Sequence, residues 1–225
     1  MLIEDLEDYI KSFSRHISDI EKDGDTTSDN INKYFEKYKI TESDEYGYMG
    51  RVWILIGKKD DESPFESLMV AQSEDIHKEI SADVYSMYNT EYSKQKEKHI
   101  DWNFEREIRY NLDIIKSPQI AKIKTNNNFY LYQKGHENIK KQYLYRYLHK
   151  KYKYLKIYEI DIDKYIKPSF KMEQEEKYIY ELAKDYYAES KLAIETNSLF
   201  WNYYNSGVGK RSYNFFKNKR NLREI

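Results

Sequence analysis

The residues of this chain best placed for chemistry are a carboxylate on a helix and a glycine loop with two cations that follows it. Glu189 shares one helical face with Leu182, Tyr186 and Ala193, which recur at intervals of four, three and four. A carboxylate on such an inward stripe is costly unless it is paired or holds a metal. Two plainer arrangements would also satisfy it: a Lys or Tyr partner at the edge of the core, or a helix turned by one residue so that Glu189 meets water. Downstream, Leu199 to Arg211 contains Trp201-Asn202, then Gly207 and Gly209, then Lys210-Arg211. Glycine there permits a left-handed backbone or close approach of a ligand, and two adjacent cations suit phosphate. The spacing is that of neither a dinucleotide loop nor a P-loop.

A second block, from Asn138 to Lys156, holds seven Lys or Arg and no acid. Lys140, Lys141, Arg146, Lys150 and Lys151 are interleaved with Tyr143, Tyr145, Tyr147, Tyr152 and Tyr154. Cations with interspersed rings can track phosphates and stack on bases. The same pattern also fits a surface helix with solvated lysines and with Tyr143, Tyr147 and Tyr154 turned to the core. The five histidines are scattered, without the short His–His spacing of a metal helix. Asp161 and Asp163, at the end of an expected strand, could assist a metal or simply be solvated. No cysteine is present, which removes thiol catalysis, disulfides and Cys-based zinc sites together. The serine-elbow motif is absent as well.

The 225 residues carry a net charge of -1, but the charge is unevenly spread. Nine acids face three bases between Met1 and Ile31, while the last sixteen residues hold six bases and one acid. An acidic N-terminal arm and a basic remainder are expected. The acidic start is unlike a targeting peptide and no apolar run is long enough to span a bilayer, so a reducing, cytoplasmic setting is expected. The 25 tyrosines partly reflect AT-rich coding, and their number alone carries little weight.

The elements that must position these residues are those of an α+β protein. Leu6, Ile10, Phe13, Ile17 and Ile20 predict an amphipathic helix over 2–20, followed by a polar loop over 22–30 and a short helix with Ile31, Tyr34, Phe35 and Tyr38. Residues 1–40 form a helical appendage in this reading, and 41–225 form the main domain. Val52 to Gly57 and Ser67 to Ala71 read as buried strands joined by a polar loop. A helix capped at Ser73 follows, with Ile76, Ile80, Val84 and Met87 on one face. Another helix is expected around Phe104 to Ile115, a strand at Phe129 to Gln133, a basic helix from Ile139 to Tyr154, a strand from Leu155 to Ile162, and a last helix bearing Glu189. The expectation is a small antiparallel sheet of about three strands flanked by helices.

This order, with Val52-Trp-Ile-Leu-Ile-Gly57, Leu68-Met-Val-Ala-Gln-Ser73, Lys156 to Ile162, Ala188-Glu-Ser-Lys-Leu-Ala193 and Trp201-Asn202, resembles the restriction-enzyme-like branch of the GIY-YIG nuclease superfamily. The resemblance covers roughly 46–216 as an order of elements. It implies a strand hairpin, a helix, a third strand and a helix with a metal-binding glutamate, which maps to Glu189 with Mg²⁺. It also implies DNA as partner, with Asn202, Lys210 and Arg211 near phosphate. The motif tyrosines fall on Trp53 and Met69, and the following glycine on Ala71. Indole and thioether cannot serve as general bases. The family arginine has no counterpart in 74–92, and Arg106 and Arg109 are the nearest. Either the site is rebuilt, with Tyr46, Tyr48 or His77 supplying the missing groups, or the chain is an inactive derivative that still binds. The function implied is a restriction or mobile-element endonuclease, or its binding-only form. The alternative is a phage or mobile-element protein that inhibits a partner through the acidic helix 2–20.

Overall fold

The computed structural model describes residues 5–38, 51–89 and 145–166 apart from 147, and 184–198 apart from 186, 190, 194 and 197. The expected helix around 104–115 and the strand at 129–133 lie outside the described residues. In chain order the elements are helix α1 (Leu6–Lys11), strand β1 (Ser14–Asp19), helix α2 (Gly24–Lys37), strands β2 (Arg51–Lys58) and β3 (Glu66–Ser73) and helix α3 (Ile76–Tyr88). Helix α4, described over 145–151, strand β4 (Tyr154–Ile160), the short helix α5 (Ile162–Tyr165) and helix α6, described over 184–195, complete the set.

Among the described residues the sheet has four strands where about three were expected, in the order β1-β4-β2-β3, with antiparallel pairing throughout. The added strand comes from the segment expected to be helical throughout. Asp5 caps α1 through a bond from Asp8 N (3.0 Å), Glu7 and Asp8 sit in the first turn and Lys11 in the last, so the helix is well terminated at both ends. It stops there because the following residues pair with β4, from Ser14 opposite Ile160 to Asp19 opposite Lys156, with a register shift between His16 and Ser18. The helix expected over 2–20 is therefore a short helix followed by an edge strand. Ser14–Asp19 contributes a strand to the sheet itself, so the second half of the helix expected to dock on a partner is that strand. The polar stretch expected as a loop over 22–30 is also corrected. Asp23 accepts bonds from Asp25 N and Thr26 N and starts α2 at Gly24, with Thr27 buried among otherwise exposed polar residues.

The hairpin and its helix form where expected. β2 runs apolar without alternation because both of its faces are covered, and Val52 to Ile56 are all buried. Alternation along β2 and β4 sorts the packing. Arg51, Trp53 and Leu55, with Glu159 opposite Trp53, face α2 and α3: Tyr34 of α2 bonds Glu159, and the Phe35 ring lies under Arg51 (5.4 Å). On the other face, Tyr158 and Lys156 bond Glu7 of α1, and Gln72 bonds Asp185 of α6. The result is a helix–sheet–helix sandwich. Gly57 marks a tight point in it, since a Cβ there would come within 2.7 Å of Leu155 Cδ2 and 2.8 Å of Leu68 Cδ1. The cap of α3 is Asp75, which takes Lys78 N at 3.1 Å, while Ser73 Oγ takes Asp75 N one step earlier. No helix among the described residues is long and apolar enough to cross a membrane.

Candidate functional site

Helix α6 carries the residue of greatest chemical interest. Its buried stripe is formed by Lys184, Asp185, Tyr187, Ala188, Leu192 and Ala193, and Glu189 lies at the border of that stripe, half-buried. The helix is fastened to β3 at two heights. Gln72 Nε2 donates to Asp185 Oδ2 at 2.9 Å, and Thr196 Oγ1 donates to Ser67 Oγ at the same distance. Lys184, itself buried, reaches Asp163 just past β4 at 2.9 Å. Asp185 is 4% exposed and stands one turn before Glu189, so α6 offers two carboxylates on neighbouring positions of one face. Hard divalent cations favour such oxygen donors, and Asp185 and Glu189 are two residues of that type on α6, one of them already accepting from Gln72. Among the described residues there is no group of three or more His, Asp or Glu able to hold a metal ion.

Asp185 was not singled out from the sequence. The available signal was its spacing of four from Glu189, hidden because Leu182 and Tyr186 define a slightly different stripe.

Trp53 and Met69 leave the sheet on the α2–α3 side, since Trp53 pairs with Ala71 and Leu55 with Met69. Gln72, which anchors α6, points to the opposite face. The positions of the two motif residues and the helix bearing Glu189 are thus on opposite sides of the sheet. Both motif positions are buried, Trp53 at 1% and Met69 at 6% exposure, and the Trp53 indole N–H has no hydrogen-bond partner among the described residues.

His77 sits on the exposed side of α3, where its Nε2 shares a hydrogen bond with Asn32 Oδ1 (2.9 Å) and its ring stacks on Phe35 at 4.7 Å. It ties α3 to α2. Arg146 donates through Nη1 to the carbonyl of Met87 at 2.6 Å and so caps the C-terminus of α3. His149 of the same helix packs on Tyr88 at 4.7 Å, and burial pulls its imidazole below the ordinary range. In α4 the core-facing stripe is Tyr145, Leu148 and, just beyond it, Tyr152, whereas Tyr154 belongs to β4. Lys150 is exposed and Lys151 half-buried. Tyr46, Tyr48, Arg106, Arg109, Lys140, Lys141, Asn202, Lys210 and Arg211 lie outside the described residues.

One polar cluster does join an arginine, a tyrosine and a glutamate. Glu159, 7% exposed on β4, accepts from Arg51 Nε and Nη2 and from the Tyr34 hydroxyl. Burial pushes the Tyr34 phenol up, and the Glu159 charge adds to the effect. Both carboxylate oxygens are engaged by three donors from two elements. Such a saturated group is a clamp between α2 and the sheet and offers no open position to a metal or substrate. Its sequence signal was a lone Glu within the apolar strand Leu155 to Ile162.

Searches with protein-family models, against curated proteins and against solved structures find no match for this chain.

Proposed function

We propose that this chain is a divergent GIY-YIG-like protein directed at DNA, with any phosphodiester chemistry centred on Glu189 of α6. The observation that carries the reading is the succession of the β2–β3 hairpin, helix α3, strand β4 and a helix with a half-buried glutamate. Glu189, with Asp185 one turn away, would hold a divalent cation in this reading, and the ion would supply Lewis-acid polarisation of a phosphodiester oxygen. The Gln72–Asp185 bond ties α6 to β3 one turn before Glu189. Lys150, Lys151 and the glycine loop with Lys210 and Arg211 contribute phosphate contacts in this reading.

A binding-only derivative is the second reading. It is favoured by the burial of Trp53 and Met69, which fill the motif positions with side chains that cannot move a proton, on the face away from α6.

The deciding experiment uses purified protein with plasmid DNA and Mg²⁺ or Mn²⁺, beside a Glu189→Ala variant, together with DNA binding in chelator across a salt series. The expected result is salt-sensitive binding by both proteins and metal-dependent nicking by the wild type alone. Binding without nicking selects the second reading. Equal nicking by both proteins removes Glu189 from the metal site, and a lack of salt-sensitive binding sinks the DNA reading itself.

A further inference from the structure

The end of the sheet formed by the β2–β3 turn and the start of β4 gathers lysines over aromatic rings. Lys58 lies opposite Tyr154 in the β2–β4 register, with its ammonium 4.7 Å from the Tyr154 ring and 5.6 Å from that of Phe65. Lys156, on the same face, is 5.3 Å from Phe65, and Lys153 is 5.0 Å from Tyr154. Among these lysines Lys58 alone forms no ion pair among the described residues, whereas Lys153 is held by Asp61 and Lys156 by Glu7.

The Asp61 carboxylate sits in what has the geometry of an anion site. Lys153 Nζ donates to one of its oxygens at 2.5 Å and the Tyr154 hydroxyl donates to the other. The two non-bridging oxygens of a phosphodiester present the same pair of acceptors, and such charge-assisted donors are suited to them. The present occupant comes from an exposed turn without regular structure. Its neighbour Asp60 is committed to that turn, accepting from Glu62 N (3.1 Å), Ser63 N (2.7 Å) and Ser63 Oγ (2.6 Å), which leaves Asp61 to reach across to β4. Asp60, Asp61, Glu62 and Glu66 stand in and beside this turn with Lys58 and Lys59, and Lys59 lies 3.4 Å from Glu66. Displacing Asp61 uncovers Lys153 and Tyr154, with Lys58 beside them.

We propose that Lys58, Lys153 and Tyr154 form a docking point for the phosphate backbone of DNA, which Asp61 covers until the strand displaces it. This inference rests on the DNA-directed reading above and adds where the strand lies and what controls its access.

The test is duplex binding by the full chain, read by fluorescence anisotropy over a salt series. Asp61→Asn is expected to tighten binding several-fold at low salt. Lys58→Met combined with Lys153→Met is expected to weaken it, lowering the slope of log affinity against log salt by about 0.9 for each phosphate that is no longer neutralised. Asp29→Asn, on the exposed side of α2, removes the same charge elsewhere and is expected to change little. A gain for Asp29→Asn equal to that for Asp61→Asn, or a double lysine variant that binds like wild type, overturns the surface and leaves the DNA reading standing. A wild type that binds no duplex overturns both.

Discussion

Tyrosine hydroxyls donate to carboxylates at six places among the described residues. Tyr34 donates to Glu159, Tyr158 to Glu7, Tyr9 and Tyr165 to Glu195, Tyr152 to Glu66 and Tyr154 to Asp61. A phenol is a neutral donor with an apolar body, so it can satisfy a half-buried carboxylate without bringing a second charge out of water. The abundance of tyrosine, uninformative as a count, acquires a role once partners are known. Glu7 gives this a measurable consequence. Burial alone raises its carboxyl, but the Lys156 and Lys11 ammoniums and the Tyr158 hydroxyl outweigh burial and bring it down to about 2 from 4.5. A carboxyl depressed on folding contributes stability that is fully present above its unfolded value and is lost as pH falls from 4.5 toward 2. Denaturant unfolding at a series of pH values should therefore show a smaller acid-side loss for Glu7→Gln than for wild type, the difference growing as pH falls below 4.5. Parallel pH curves would show that Glu7 takes no part in acid lability.

At the scale of elements, the sequence was legible where one period dominated. The apolar run Val52 to Ile56 has no alternation, and it is a strand buried on both faces. Ile76, Ile80, Val84 and Met87 mark α3 equally well. Residues 2–20 misled because Phe13 and Ile17 stand four apart, a spacing shared by a helix face and a strand face. Pairing with β4 decided between them, and that information lies far along the chain. The Asp23 cap was legible in principle, but the polar residues after it hid the helix it starts. The site was less legible than the fold. Glu189 drew notice through its helical spacing alone, whereas the Gln72–Asp185 bond and the Arg51–Glu159–Tyr34 clamp depend on contacts between distant segments.

Gly57 shows what an element boundary costs to alter. It closes β2 against Leu155 and Leu68, so Gly57→Ala forces a methyl into space already filled. The expected destabilisation is about 1–3 kcal/mol by overpacking, read as a lower denaturation midpoint at unchanged slope. A midpoint equal to wild type would mean that the two leucines can move aside freely.

The whole molecule depends on its first segment more than its composition implies. Ile10, Phe13, Ile17 and Ile31 are all buried in the common core, and β1 covers the edge of β4. Removing residues 1–30 takes away α1, β1 and the first half of α2 together. It leaves β4 with an open row of backbone donors and acceptors, the kind of edge that pairs with other chains. It also strips the apolar cover from the sheet face that carries Tyr158, and Glu7 no longer meets Lys156. The truncated chain should therefore lose its cooperative unfolding transition and aggregate, as circular dichroism and light scattering can follow. A separable appendage would behave otherwise, leaving a domain with a sharp transition at a similar midpoint. That outcome would support a boundary near residue 40 and the reading of the acidic segment as a docking arm. The packing of Ile10, Phe13 and Ile17 against the sheet argues for the first result, because each fully buried side chain of this kind contributes about 1.5–3 kcal/mol.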